Sequence, residues 1–294
     1  MPRVLNLGSI NIDHVYTVDH FVRPGESEIS KGYEVFAGGK GFNQSIALAR
    51  AGAEVSHLGA VGEDGAWLVE RLKQEGVDVG FVSLHTHATG HALIQVATSG
   101  ENAIVVYPGA NQEITHDEIQ KAMASFGAGD WLLTQNETSG VAEAMQLAKE
   151  KGLRIAFNAA PMSEAVHGYP LELVDLFILN ETEAEALAGV DKEPASDVLC
   201  KRYPQAAILL TLGAEGARYL DANCELTQAA EAVDVVDTTA AGDTFIGYFL
   251  GDLIAGKSIS NALETSCRAA GIAVTRPGAS NSIPLRSEFL GSTS

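Results

Sequence analysis

Apolar residues along this chain fall into short runs separated by stretches of helical period. VLNLGSI (4–10), VSHLGAV (55–61), WLLTQ (131–135), RIAFNA (154–159), LFILN (176–180) and AAILLTL (206–212) have the length and content of buried strands. Between them, NQSIALARAGA, WLVERLKQEG, VAEAMQLAKEKG and TEAEALAG return apolar positions at helical spacing. Strands alternating with helices predict an α/β chain, with a parallel sheet and helices on both of its faces.

Two stretches break that rhythm. IDHVYTVDHFVRPGESEISKGYEVFA (12–37) alternates in the manner of strands around a Pro-Gly turn. HALIQVATSGENAIVVYPG (91–109) places two strand-like runs around SGEN, the pattern of a hairpin. Neither carries a helical crossover, and both are expected to pair into a small sheet covering one end of the main one. No repeat, low-complexity segment or linker interrupts residues 1–294, which read as a single domain.

Composition narrows the function. With 46% apolar and 19% charged residues the chain is globular. A formal net charge of −19 repels nucleic acid and anionic membrane, so neither is an expected partner. An anionic substrate must then be held by local devices: helix N-termini, a lysine or a metal ion. Cys200, Cys224 and Cys267 have no metal-type spacing, and so sparse a set suits a reducing compartment. No apolar run reaches about 18 residues, the length that suggests a membrane helix, and no signal-like segment precedes the first strand. The cytoplasm is the expected location.

Ligands of open α/β sheets bind beyond the carboxyl ends of the strands. GSINID (8–13), QNE (135–137), NAAP (158–161), NETE (180–183) and TLGAEG (211–216) occupy such positions. AGGKGFNQ is not a P-loop, since Gly41 follows Lys40 where Ser or Thr is required, and no G-x-G-x-x-G follows the first strand. A P-loop NTPase and a dinucleotide enzyme are both disfavoured. GGKGFNQSIALARAG (38–52) still opens a helix with three glycines and a lysine, its buried side marked by Ile46, Ala47, Ala49 and Ala53. It is either an ordinary glycine-rich helix start or a close backbone approach to a polar ligand, with Lys40 and Asn43 as donors.

Two aspartates stand behind small residues. Asp130, in FGAGDW, precedes a strand and so lies at the end of a parallel sheet remote from ligands; it reads as a solvated turn acid. Asp243, in DTTAAGDTF, precedes Phe245, Ile246, Phe249, Leu250, Leu253 and Ile254, an amphipathic helical stripe, with Gly247 and Gly251 forming a narrow face. Ala240, Ala241 and Gly242 thereby fall at a helix N-terminus, where unpaired N–H groups hold an anion. Asp243 is either a plain cap or a base acting on a hydroxyl beside that anion. NETEAEAL (180–187) similarly reads as a capping box from Asn180 to Glu183, or as a water-mediated Mg²⁺ site. Glu137 is a surface acid or a partner for a substrate hydroxyl, and TLGAEG a tight turn or a nucleotide-lining loop. The eight histidines show no ligand spacing, and Trp67 and Trp131 read as packing residues.

Five ordered blocks, GSINID, GGKGFNQ, NETEAE, TLGAEG and DTTAAGDTF, together with the β insertions, resemble the ribokinase/PfkB carbohydrate kinase family over nearly the whole chain. The resemblance implies a doubly wound α/β domain, its sheet mostly parallel, carrying a β-sheet lid from about 12–37 and 91–109. It implies ATP-dependent phosphorylation of the 5-hydroxyl of D-ribose, with deoxyribose, ketohexoses and nucleosides as related acceptors. A sugar-binding regulator without catalysis is disfavoured by Asp243, Gly242 and Lys40. Carried over position by position, the resemblance implies a sugar site of Asn11, Asp13, Gly39, Lys40, Asn43, Glu137 and Asp243. Asp243 is the implied base, with the N–H groups of Ala241, Gly242 and Asp243 as anion hole. Implied nucleotide contacts are Asn180, Thr211, Leu212, Gly213, Ala214, Glu215, Gly216 and Gly242. Glu183 would organise Mg²⁺. A monovalent-cation (K⁺) site would comprise Asp237, Thr239, Ala273, Arg276, Gly278 and Ser282, and a homodimer would form through the lid. Ala240 stands where many sugar kinases have glycine, and Cys267 where relatives often place Asn or His near adenine.

Overall fold

The computed structural model describes residues 1–190 and 194–289; the remaining residues of the expected 1–294 domain lie outside this description. In chain order the strands are β1 (Val4–Leu7), β2 (Asn11–Val18), β3 (Gly32–Gly38), β4 (Val55–Val61), β5 (Asp78–Leu84), β6 (Gly90–Ala97), β7 (Asn102–Tyr107), β8 (Trp131–Thr134), β9 (Arg154–Asn158), β10 (Leu176–Asn180), β11 (Ala207–Thr211), β12 (Ala217–Leu220) and β13 (Glu225–Gln228). The α-helices are α1 (Lys40–Arg50), α2 (Ala66–Gln74), α3 (His116–Met123), α4 (Val141–Glu150), α5 (Glu181–Ala188), α6 (Ala195–Arg202), α7 (Ala241–Ile254) and α8 (Ile259–Ala273).

Nine strands form one sheet in the order β13-β12-β11-β10-β9-β8-β1-β4-β5, parallel throughout except for β12 and β13. All six strands read from apolar runs are present. The first is shorter than expected: pairing stops at Leu7, and the chain turns away through Gly8–Ile10 into β2. Adjacent residues of a strand face opposite sides. Val4 and Leu133 enter the core shared with α1, α7 and α8, whereas Leu5, Leu7 and Leu132 enter the core with α3, α4 and α5. Helices therefore cover both faces.

The two stretches outside the βα rhythm pair with each other in a second sheet, ordered β3-β2-β6-β7. Each stretch is an antiparallel hairpin, and β2 joins β6 in parallel, Asn11 opposite Gly90. The outer strand β7 leaves Ile104, Val105 and Val106 exposed.

Three packing expectations need correction. Trp67 is 43% exposed, because it stands on the solvent side of α2; Trp131, at 2%, is the packing residue. In α1, burial extends over every residue from Gly41 to Leu48, including Asn43, Gln44 and Ser45, while Ala49 and Ala53 are only half-buried. Helix α7 is not amphipathic: Tyr248 and Asp252 are as buried as Phe249, since α7 lies between α1 and α8.

The α1–α7 contact requires glycine. A Cβ at Gly247 would lie 2.3 Å from Ala47 Cβ and 2.7 Å from the Ala47 carbonyl carbon. Gly247→Ala is expected to lose about 1–3 kcal/mol, the usual cost of overpacking, read as a lower urea midpoint. Gly127→Ala adds a methyl that meets nothing within 4 Å and should stay within about 0.5 kcal/mol of the parent.

Candidate active site

The chain runs from β1 outward to β4 and β5, then returns to β8 on the other side of β1. A crevice opens where the winding reverses, beyond the carboxyl ends of β1 and β8. Gly8–Asn11 and Gln135–Glu137 lie at those ends. The start of α1 is pressed against the first: a Cβ on Gly41 would be 2.4 Å from Gly8 Cα. That contact brings Lys40, Asn43 and Gln44 to the mouth of the crevice.

Helix α7 brings Asp243 there as well. Asn43 Nδ2 donates to its Oδ2 at 3.1 Å, and Gln44 Nε2 to its Oδ1 at 2.9 Å. A Cβ on neighbouring Gly242 would meet nothing within 4 Å, so space is open above the helix N-terminus. Ala240, the residue before α7, has φ 58°, a left-handed conformation that costs an alanine roughly 1–2 kcal/mol. Glycine adopts the same conformation without that cost. Ala241 does not contribute a free amide as expected, because its N–H is taken by the Thr238 carbonyl at 3.2 Å in the turn preceding the helix. The N–H groups of Gly242 and Asp243 have no partner among the described residues.

Asn11, Asp13, Gly39, Lys40, Asn43, Glu137 and Asp243 surround this crevice. Glu137 Oε2 accepts from Ser9 Oγ and, at 3.2 Å, from Lys40 N, placing an anion at the N-terminus of α1. Burial alone would lower the Lys40 pKa, but Asp243, Glu137 and Glu183 outweigh it and raise the pKa. Asp13 accepts no hydrogen bond among the described residues, and burial and then Glu137 push its carboxyl up from 3.8 to about 7. Gly38 faces it, with no room for a Cβ. Asn11 Oδ1 accepts from the buried Asn111 Nδ2 at 2.8 Å, and Asn111 also bonds both backbone groups of Ile10.

Further along the same sheet edge, Asn180 and Thr211 are paired neighbours on β10 and β11. Asn180 and Glu183 form a full capping box, at 2.8 and 3.0 Å. The half-buried carboxyl of Glu183 titrates above its ordinary value, desolvation outweighing the Asn180 N–H. Thr211 to Gly216 forms a tight turn, closed by Leu212 N–H to the Gly216 carbonyl at 2.8 Å, with Gly213–Glu215 as a 3₁₀ turn.

Asp237, Thr239 and Gly278 also meet: Asp237 accepts from Thr239 N and Oγ1 and from Gly278 N. These bonds hold the Asp237 carboxyl below its ordinary value despite partial burial. Arg276 turns instead to Glu288, so Asp237 lacks a cationic partner among the described residues. Ala273 and Ser282 lie on the adjoining segments, their backbone groups engaged with Arg276 N and Ala279 O. Cys267 is buried, its thiol facing the Gln228 carbonyl, and burial raises its pKa to about 11.

Asp130 stands apart at the amino edge of the sheet. It is a structural acid rather than a solvated one, bonded to Arg3 N and Nη2 and to Gly127 N. The residue reading missed Gln44, Gln135 and Asn158, whose amides bond one another beneath Asp243. For Gln135 and Asn158 the signal was a lone polar amide closing an apolar strand, as in LLTQ and IAFN; Gln44 lies on α1. It also missed His20, Glu26 and Glu28, whose ligand atoms lie within 4.8 Å of one another in the β2–β3 loop; there His20 Nε2 bonds Glu26.

Comparison with known proteins places these features in context. The model of the pfkB family carbohydrate kinases matches residues 1–286. The ribokinase of Haemophilus influenzae is 39% identical over 97% of this chain and 96% of its own length. The crystal structure of ribokinase from Cryptococcus neoformans in complex with ADP superposes with a TM-score of 0.85 at 35% identity, covering 97% of each chain. The ribokinase of Arabidopsis thaliana complexed with ribose and ATP gives 0.84 at 28% identity over 96% of each.

The raised carboxyl of Asp13 has a measurable consequence. Between about pH 4 and pH 7 the folded chain keeps a proton there that the unfolded chain has lost, so this group's contribution to stability falls as pH rises. Asp13→Asn removes that fall. The variant's gain in Tm over the parent should be larger at about pH 8 than at about pH 5; equal gains would contradict the assignment.

Proposed function

This chain belongs to the pfkB family of carbohydrate kinases, and from that premise we propose that it transfers the γ-phosphoryl group of ATP to the 5-hydroxyl of D-ribose, giving ribose 5-phosphate and ADP. The observation that carries the reading is Asp243 at the N-terminus of α7, held by two amides, beside open space and two N–H groups without a partner among the described residues.

Asp243 accepts the proton of the sugar's primary hydroxyl. The hydroxyl oxygen forms a bond to the γ-phosphorus as the bond from that phosphorus to the ADP oxygen breaks. The amides of Gly242 and Asp243, at the positive end of α7, stabilise charge on the moving phosphoryl group. Lys40 adds a full positive charge at the same mouth, and Asn11, Asp13, Asn43 and Glu137 orient the sugar hydroxyls. Asn180 and the Thr211–Gly216 turn line the nucleotide's path along the carboxyl edge. The small sheet acts as the lid: Asn11 and Asp13 stand on its strand β2, so closing over the sugar aligns the hydroxyl and excludes water.

Glu183, at the first turn of α5, is the residue suited to hold Mg²⁺ through water, as carboxylates commonly do. Bound Mg²⁺ supplies charge neutralisation on the phosphates. The Asp237 loop suits a monovalent cation, for its carboxylate is held ionised by N–H and hydroxyl donors and has no cationic partner among the described residues. The exposed aliphatics of β7 suit a homodimer through the lid. All three cysteines are free, in keeping with a reducing cytoplasm where ATP is available.

With ATP–Mg²⁺ and a panel of sugars, ADP release should be fastest with ribose and faster with K⁺ than without it. Fastest release with a ketohexose or a nucleoside would reassign the acceptor. Tight sugar binding without turnover would instead indicate a regulator. Asp243→Asn should lower kcat by roughly 10²-fold or more, as expected for loss of a general base. Asp130→Asn should leave kcat within a few-fold, and a comparable loss there would overturn the choice of base.

A further inference from the structure

We propose that Gln44 is a positioning residue for Asp243, held in one orientation by a directed chain of buried hydrogen bonds anchored on backbone carbonyls. The proposal rests on the reading of Asp243 as the base. Gln44 is fully buried on α1. Its Nε2 donates to Asp243 Oδ1 at 2.9 Å and to Asn158 Oδ1 at 3.1 Å, while its Oε1 accepts from Gln135 Nε2 at 2.7 Å.

An amide can turn over, exchanging donor for acceptor. Here the surroundings forbid it. A backbone carbonyl can only accept, and three of them fix the direction of the chain. The Ile178 carbonyl takes Asn158 Nδ2 at 3.0 Å, so Asn158 must present its oxygen to Gln44. The Gly41 carbonyl takes Asn6 Nδ2 at 2.8 Å, so Asn6 must present its oxygen to Gln135 Nε2, at 3.0 Å. Gln135 Nε2 then faces Gln44 Oε1, leaving the Gln44 N–H groups no place but Asp243 and Asn158. The Gly8 carbonyl takes His57 Nε2 at 3.1 Å, so Nδ1 accepts from Ser45 Oγ, which in turn accepts from Asn6. Burial lowers the His57 pKa to about 4, so this ring adds no second proton.

A flipped Gln44 would set its oxygen against the oxygens of Asp243 and Asn158, in a site too dry to screen them. As built, Asp243 receives one amide N–H on each oxygen, from Asn43 and from Gln44. Its plane is fixed, and neither donor is acidic enough to give up a proton in place of the sugar. Gln44 thus acts on the hydroxyl through Asp243 alone.

The test compares the parent with Gln44→Met, Gln44→Glu, Asp243→Asn and the Gln44→Met/Asp243→Asn double variant, on ribose, with unfolding midpoints measured for each. In Gln44→Met, kcat should fall roughly 10–100-fold, the scale of a small misplacement of a catalytic group, while KM for sugar stays within about threefold. On Asp243→Asn the same substitution should cost little more, since residues acting as a unit are not additive. Gln44→Glu keeps the side chain's shape and sets a second carboxyl against Asp243, among Lys40, Glu137 and Glu183. The acid limb of its kcat profile should move up by about one pH unit or more. A purely structural role would lower the midpoint without moving the pH profile or the kcat-to-KM balance. Folded Gln44→Glu with kcat within twofold of the parent and an unshifted profile overturns the proposal, even if Gln44→Met fails to fold. If the parent turns over no sugar, the reading of Asp243 as base falls as well; an active parent with unaltered variants overturns this inference alone.

Discussion

Helices α1 and α7 meet with no Cβ between them at residue 247, and the candidate site inherits its geometry from that contact. With Gly247 against Ala47, the first turn of α7 arrives level with the first turn of α1. Asp243 can then reach both Asn43 and Gln44. A second close approach, Gly41 on Gly8, fixes α1 against the carboxyl end of β1. Two backbone contacts thereby carry position from the rigid centre of the sheet to a carboxylate on a helix joined to it only through loops. Close-packed interiors transmit displacement rather than absorb it, so the Asp243 carboxylate is as well placed as the glycines are small.

The site must also reconcile its own charges. The chain carries a formal charge of −19, yet its proposed substrate is a polyanion. Locally, Asp243, Glu137 and Glu183 surround Lys40, whose ammonium they hold against the pull of burial, and Asp13 stands beside Glu137. Each of these acids except Asp13 has donors of its own: Ser9 and the α1 amide for Glu137, two side-chain amides for Asp243, the Asn180 N–H for Glu183. Asp13 lacks any among the described residues, and its carboxyl rises to about 7. A sugar hydroxyl is the kind of donor that would relieve it, which makes the least satisfied acid the one best prepared for a ligand.

The main sheet was legible in the chain because buried parallel strands are apolar on both faces and stand out as runs. The second sheet was legible for the opposite reason, as stretches where strands succeed strands without a helix. Asp243 was separable from Asp130 by the element that each one leads into, a helix for the first and a strand for the second. Other features were hidden. The burial of α7 on all sides depends on α8, a partner that periodicity within α7 cannot reveal. Trp67 carries a packing side chain but falls on the solvent face of a short helix. Gln44, Gln135 and Asn158 lie on different elements, and only the fold turns three unremarkable amides into one network. The Ala241 amide was misjudged because a turn of the preceding loop, at Thr238, cannot be read from composition.

The seam between the two lid hairpins bears on how the molecule assembles. Each hairpin is local, but Asn11 meets Gly90 only after the chain has passed through β3, α1, β4, α2 and β5. Closing so long a loop costs entropy that the parallel β2–β6 pairing must repay late. The same seam joins the strand bearing Asn11 and Asp13 to the rest of the lid. The small sheet therefore waits on the body: a nascent chain can join its two hairpins only after the residues of β4 and β5 have been made between them.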